Sequence, residues 1–369
     1  MSGTTGPVAG TTGATYAGAG VDIAAGDEAV ARIADVVAST ARPEVLGGIG
    51  DFAGRFLLDT GRFRRPVLVS STDGVGTKML VAKATGRYDT VGIDLVAMCV
   101  DDIVCAGAEP LFLLDYVAVG RLVPERLEAI VGGIAAGCRA AGCALVGGET
   151  AEHPDAMAPD DVDLAGFALG VAEQGEELGR DRVEVGDVLV GLPSPGLRSN
   201  GYSLARRVLL EGARLPLDGP AWDGAAHTLA DELLAPSVVY APAVMAARAA
   251  GARGVHACAH ITGGGIAGNL SRVLPEHVDA RLERGAWEEP RIFREIARLG
   301  AVADEEMARV FNLGLGMILV VSPGALGAVV RAIDAVLGGT GGTGGPGGLG
   351  GRGATVVGEI VSGSGEVLL

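Results

Sequence analysis

The chain has 369 residues, room for about two domains, and 49% of them are apolar, which excludes disorder as a whole. Its net charge of −16 excludes a coat for nucleic acid or for an anionic membrane surface. Aromatics are only 4% and glycines number 61, so core volume falls to Ala, Val and Leu while many positions stay free for tight turns.

Residues 1–13 are rich in Gly, Thr and Ser, with no basic or apolar region, and read as a disordered tail rather than a signal peptide. Asp27 to Thr40 reads as an amphipathic helix and Pro66 to Ser71 as a buried strand. A helix is expected over Thr90 to Ala108 and a strand over Leu111 to Val119. The next helix runs from Pro124 to Ala141, with proline at its start and Gly142 just past its end. Strands Cys143 to Val146 and Leu164 to Val171 complete the first half.

The acidic stretch Glu173 to Asp187 places a boundary between a domain over 14–173 and another over 174–369. The second half reads as strand Asp187 to Leu192, helix Tyr202 to Glu211, helix Pro236 to Ala250 and strand Val255 to Ile261. Strand Phe311 to Val321, helix Gly324 to Leu337 and strand Ala354 to Val361 follow. Between the last two, residues 338–353 hold 11 glycines in 16 positions and read as a flexible insert. Alternating strands and helices give an α/β or α+β chain. No run approaches the roughly 20 apolar residues that span a bilayer. The five cysteines, Cys99, Cys105, Cys138, Cys143 and Cys258, form no C-x-x-C pair and fit core thiols in a reducing cytoplasm.

Six clusters carry candidate chemistry. Ser71-Thr72-Asp73-Gly74-Val75-Gly76-Thr77-Lys78 follows a strand and reads either as a phosphate-approaching loop with a Mg²⁺-holding Asp73 or as a tight turn. It is neither a P-loop nor a dinucleotide fingerprint. Asp94, Asp101 and Asp102 lie in an otherwise apolar helix and either line its wet edge or cap it, or are buried, where a cation is demanded; the apolar neighbours favour a metal-facing role for at least one. Gly147-Gly148-Glu149-Thr150 is expected at a strand end and reads either as a ligand loop, where α/β folds place ligands, or as a Gly-rich turn with an exposed Glu. Arg198-Ser199-Asn200-Gly201 precedes a helix and suits an anion, a helix cap, or both. His260-Ile261-Thr262-Gly263-Gly264-Gly265 is a second candidate phosphate cradle, its histidine either structural or functional. Asn312-Leu313-Gly314-Leu315-Gly316 reads as a strand softened by glycine.

In order, these clusters resemble the phosphoribosylformylglycinamidine cyclo-ligase, or aminoimidazole ribonucleotide synthetase, family. The match runs from about Tyr16 to Val320 and includes Gly20-Val21-Asp22-Ile23, Arg42-Pro43-Glu44-Val45 and Gly107-Ala108-Glu109-Pro110-Leu111-Phe112. It continues through Ser199-Asn200-Gly201-Tyr202-Ser203-Leu204 and the Thr262 to Gly265 turn. The Asp and Gly loops alone would also fit relatives such as thiamine-monophosphate kinase, and a small-molecule kinase or a non-catalytic nucleotide-binding scaffold are the rival functions.

The resemblance implies two domains, an N-terminal mixed sheet that forms a barrel shared across a homodimer and a C-terminal α/β sandwich. It implies ATP-dependent closure of formylglycinamidine ribonucleotide to 5-aminoimidazole ribonucleotide. For ATP it implies Asp73, Gly74, Gly76, Thr77, Lys78, Gly147, Gly148, Glu149 and Thr262 to Gly265. For Mg²⁺ it implies Asp73 and Asp102 with Asp94, Glu149 and Asp51. For the substrate it implies Arg198, Ser199, Asn200 and Gly201, and for catalysis Lys78, Asp73 and His260. The chain departs from the family's usual residues at Asp51 (commonly glycine), at His153-Pro154-Asp155 (commonly Met-Pro-Gly) and at Arg198 (commonly histidine). A guanidinium stays protonated, so Arg198 can hold an anion but cannot do acid–base work.

Overall fold

The computed structural model describes residues 15–48, 50–339, 349 and 353–369. The expected tail at 1–13 and most of the glycine-rich insert at 338–353 lie outside the described residues.

The N-terminal half begins with helix α1 (Ile23–Ala38). Asp22 starts it as N-cap, its carboxylate accepting from the N–H groups of Ala24 and Ala25 at 3.0 and 3.2 Å. Strands β1 (Val45–Leu46) and β2 (Arg55–Phe56) form a short antiparallel ribbon. Strands β3 (Pro66–Gly74), β4 (Glu109–Val119), β5 (Ala144–Glu152) and β6 (Val162–Glu173) form a four-stranded sheet in the order β3-β6-β4-β5. Its pairs are antiparallel except β4 with β5, which helix α4 (Pro124–Ala141) connects in parallel. Gly142 closes α4 at φ 72°, the left-handed cap that its glycine predicts.

Helix α2 (Met79–Thr85) precedes helix α3 (Val91–Cys105), which lies on β3 and β6 with α4 packed against it and α1 against α4. The α3–α4 approach is close because Gly92 has no side chain: a Cβ there would fall 2.3 Å from Ile130 O and Ile134 N. One face of the sheet is thereby covered. The other leaves Leu68 59%, Tyr116 40% and Phe167 40% exposed.

The four-stranded sheet ends at Glu173, and the next sheet begins with β7 (Val188–Pro193). Strands β8 (Val255–His260), β9 (Val278–Leu282), β10 (Leu315–Val321), β11 (Thr355–Ser362) and β12 (Val367–Leu368) complete a six-stranded sheet. Its order is β12-β9-β11-β7-β10-β8, antiparallel except for β12 with β9. Every residue of β10 is buried. Helices α5 (Tyr202–Arg206), α6 (Leu229–Leu233), α7 (Ala241–Gly251) and α8 (Gly265–Leu270) lie between its strands, and α7 packs against the helix Leu326–Gly339.

Three elements differ from expectation in ways that matter for the site. β3 runs on through Thr72, Asp73 and Gly74, so Asp73 sits in a strand rather than a loop. β5 continues to Glu152, so Gly147-Gly148-Glu149 is inside a strand. Beyond Arg206 the helix widens into a π-helical turn over Arg207–Gly212.

Candidate active site

Three carboxylates on α3 meet the second half of the chain, each in a different way. Asp94 and Lys78 are both fully buried, with Nζ 2.6 Å from Oδ2. Lys78 also donates to the carbonyls of Ala235 and Arg198 at 2.7 and 3.2 Å, while Asp94 Oδ1 accepts from the Ser237 N–H and hydroxyl at 2.8 and 2.6 Å. Burial pulls the Lys78 pKa down, against the pull of the Asp94 charge. These contacts correct two expectations. Lys78 spends its ammonium inside the domain junction and not on phosphate, and Asp94 has no face turned to a metal.

One helical turn pair further on, Asp101 is also fully buried. Its Oδ1 accepts from the N–H groups of Tyr240 and Ala241 at 2.8 and 3.0 Å, capping the start of α7 from the other domain. Its Oδ2 pairs with Arg198 Nη2 at 3.0 Å. Burial still raises the Asp101 pKa despite the Arg198 charge. Arg198 lies over the Tyr240 ring at 4.7 Å and donates to Gly316 O at 3.3 Å. Its side chain is 1% exposed, so the expectation that it reaches out to a substrate phosphate is also corrected.

Asp102 is different, because its carboxylate remains 46% exposed. Oδ1 takes His260 Nδ1 at 2.8 Å, and Oδ2 accepts from the Ser71 hydroxyl at 3.3 Å. Burial raises its pKa, but the hydrogen bond and charge of His260, with Ser71 and Arg272, outweigh that and leave it below the usual carboxylate value. Asp73 shares the helix-covered face of the sheet with Ser71. Its pKa is pushed up, first by burial and then by the charge of Asp102, with the Gly74 N–H and His260 opposing. Two carboxylates that repel one another, beside a hydroxyl, offer the hard oxygen donors that Mg²⁺ prefers.

His260 belongs to this group in an unexpected way. Its side chain is 3% exposed, and Nε2 lies 3.9 Å from Asp101 Oδ2 without a hydrogen bond. Ser199 Oγ and Arg198 Nε are likewise buried without partners among the described residues. Unpaired polar atoms of this kind mark a place where water or a ligand belongs. Asn200 closes the cluster: its Oδ1 accepts from Gly263 N–H at 3.0 Å, and its amide lies 3.8 Å from Met98 Sδ on α3. Thr77 Oγ1 lies 3.2 Å from Ser203 Oγ. The turn Thr262 to Gly265 is shaped from below by Asn269, whose amide takes the carbonyls of Thr262, Gly263 and Gly265. Gly264 and Gly265 have φ 99° and 66°, a pair of left-handed positions that glycine alone adopts at little cost.

Two expected ligands do not join them. Asp73, Gly166, Asp115 and Gly148 stand level across the sheet in one row. Alternation along β5 then turns Glu149 to the opposite face, at the far edge, about 14 Å away at ordinary strand spacing. Asp51 is exposed and pairs with Arg55 at 2.9 Å on the β1–β2 connection. Gly148 has its own reason to be glycine: a Cβ there would fall 1.6 Å from Asp115 Oδ1. Asp115 itself was not singled out by sequence, and burial raises its pKa to about 7. The family's usual glycine at 155 is explained by its backbone, φ 65° here, which Asp155 tolerates better than most side chains.

Comparison with known proteins identifies the family and the fold. Residues 60–172 match the family model "AIR synthase related protein, N-terminal domain", and residues 184–338 match the corresponding C-terminal domain model. A Geobacillus thermodenitrificans phosphoribosylformylglycinamidine cyclo-ligase is 47% identical over 350 residues, covering 95% of this chain and 96% of that protein. The Myxococcus xanthus protein of the same name is 53% identical over 311 residues, 84% and 89% of the two chains. Among solved structures, thiamine-monophosphate kinase from Stenotrophomonas maltophilia has a TM-score of 0.61 at 20% identity, covering 91% of this chain and 95% of that one. Hydrogenase maturation protein HypE in complex with ATP has a TM-score of 0.63 at 17% identity, covering 91% and 90%. These two share the fold.

Two outcomes follow from the buried charges. Asp94→Asn leaves the Lys78 ammonium unpaired and lowers unfolding free energy by about 3–5 kcal/mol, whereas Lys78→Met with Asp94→Leu restores much of it; urea melts of both check this. For Asp115, the folded pKa of about 7 lies above the unfolded value near 3.9. The native state therefore binds more protons between about pH 4 and pH 7, and stability falls as pH rises through that window. Asp115→Asn removes that fall, and melts at pH 5 and pH 8 show the variant gaining on the parent at the higher pH.

Proposed function

The chain belongs to the phosphoribosylformylglycinamidine cyclo-ligase family, and from that premise we propose how its own residues carry the reaction. It is an ATP-dependent ligase of purine biosynthesis that closes formylglycinamidine ribonucleotide to 5-aminoimidazole ribonucleotide, releasing ADP and phosphate. An amide oxygen is a poor leaving group. Transfer of the ATP γ-phosphoryl to it makes an imidate phosphate, and the neighbouring nitrogen attacks the same carbon as phosphate departs. Catalysis of this kind rests on positioning and charge neutralisation.

Asp73 and Asp102 are the carboxylates that would hold Mg²⁺, with the Ser71 hydroxyl beside them. Bound there, the ion would neutralise phosphate charge. His260 acts through Asp102: it fixes the carboxylate's orientation and helps keep it ionised. The Thr262 to Gly265 turn, steadied by Asn200, cradles phosphate. Ser199 and Asn200 orient the substrate, while Arg198 and Asp101 set the loop that carries them. The observation that carries this reading is the 2.8 Å bond from His260 to Asp102, which joins the two domains at the carboxylate pair.

The protein works as a homodimer through the uncovered face of its four-stranded sheet, where Leu68, Phe167 and Tyr116 expose apolar area that a second sheet would bury. Tyr116 Oη also meets His153 Nε2 at 3.2 Å beside this face. Five free thiols suit the reducing cytoplasm in which we place it; no described helix is long and apolar enough to cross a membrane.

Asp73→Asn is expected to lower ring closure at least about 100-fold, read as diazotisable aminoimidazole formed from the ribonucleotide, ATP and Mg²⁺. The same variant, freed of a buried like-charge repulsion, melts no lower than the parent without Mg²⁺; near-parental turnover would remove Asp73 from the metal. Leu68→Asp with Phe167→Asp is expected to yield monomers in sedimentation velocity at concentrations where the parent is dimeric.

A further inference from the structure

Three sulfur atoms from three elements meet where the domains touch, and ring closure uses none of them. Cys105 is the last residue of α3, Cys258 lies in β8 and Met317 in β10. The Cys258 thiol is 3.1 Å from Met317 Sδ and the Cys105 thiol 3.6 Å from the same atom. The neighbouring Cys258 thiol, with burial, pushes the Cys105 pKa well up.

We propose that Cys105, Cys258 and Met317 form a binding site for a soft, thiophilic cation, and that Cu(I) is the ion it fits. Two thiolates and a thioether are the soft donors that select Cu(I) over the hard ions of the active site. Binding is a ligation with no electron transfer: Cu⁺ displaces one proton from each thiol, both protons pass to solvent, and a complex of net charge −1 remains. The Arg248 guanidinium lies within electrostatic reach of Cys258, anchored on the carbonyls of Gly107 and Glu176, and offsets that charge.

Cys105 is the one member of the cluster whose residue is partly exposed. A second thiol pair provides an internal contrast. Cys138 and Cys143 are neighbours that are fully buried, and Cys138 feels the negative charge of Asp115. Among the described residues no methionine sulfur is bonded to that pair and no cation offsets its charge.

The position gives the site a consequence. Cys105 is one helical turn past Asp102, and Met317 pairs in register with His260. An ion seated among these sulfurs spreads them from 3.1 and 3.6 Å and so shifts the two elements that align Asp102 with His260, and Cu(I) inhibits ring closure without competing for ATP.

The experiment is an anaerobic titration of the reduced full-length protein with Cu(I) against bicinchoninate, followed by the thiolate-to-Cu(I) band in the near ultraviolet. The parent is expected to retain one tightly held Cu(I) per chain. Cys105→Ser and Cys258→Ser lose it, Met317→Leu holds it about tenfold more weakly, and Cys138→Ser keeps it. Met317→Leu conserves volume, so it remains informative if a serine variant fails to fold. A parent that yields all its copper to the chelator, or Met317→Leu and Cys258→Ser variants that bind as the parent does, would overturn the proposal.

Discussion

Helix α3 is the part on which the rest of this molecule depends, because its carboxylates dock one domain onto the other. Asp94 takes the Ser237 segment and Lys78, Asp101 takes the start of α7 and Arg198, and Asp102 takes His260. Buried charges of this kind are costly unless every oxygen is met. Asp101 is met by groups from the C-terminal half alone, and Asp94 by Ser237 from that half and by Lys78 from its own, whose ammonium in turn donates to the Arg198 and Ala235 carbonyls, so the C-terminal half solvates charges carried by the N-terminal one. The arrangement fixes one relative placement of the domains, since a sliding motion would strand a buried carboxylate.

That rigidity is what creates the site. Asp102 is left half outside the docked strip, held by a histidine from the C-terminal domain and a serine from β3, with Asp73 next to it. The Thr262 to Gly265 turn and the Ser199–Asn200 loop arrive at the same junction through Asn200 and Gly263. A nucleotide phosphate bound there would touch both domains at once. Precise placement of carboxylates and turn follows from the salt bridges behind them, so residues that hold the domains together share sequence motifs with those that line the junction.

The family motifs thus divide by physical role. Asp22 caps α1. Arg42 ties Gly142 O, Pro110 O and Glu109 together at 3.0, 3.2 and 3.2 Å and lies over Phe56. Gly148 clears room for Asp115. From sequence these residues looked as functional as Asp73, since a motif does not say whether its residues meet a ligand or the rest of the chain. Lys78 and Asp94 illustrate the same point: an ammonium beside glycines suits phosphate, but the groups that claim it lie on other elements, Asp94 on α3 and the carbonyls of Arg198 and Ala235 in the other half. Asp115 escaped notice because a lone aspartate in a strand carries no local pattern. β9, with Asp279 and Arg281 breaking its apolar run, and the helix Arg291–Gly300 were passed over because each is short and half polar.

The sequence alone determined the elements with strong local signals: the amphipathic α1, the proline-to-glycine span of α4, the apolar β10, and the order of motifs that identifies the family. These depend on periodicity, caps and composition, which act within a few residues. Tertiary structure alone decided which carboxylates are spent on docking and which remain for a cation, that Glu149 faces away from Asp73, and that three sulfurs meet beneath His260. Those outcomes are set by pairings between separate elements, many of them about 100 or more residues apart, or by opposite faces of one sheet, and a side chain's charge state and company are set by what folding brings beside it.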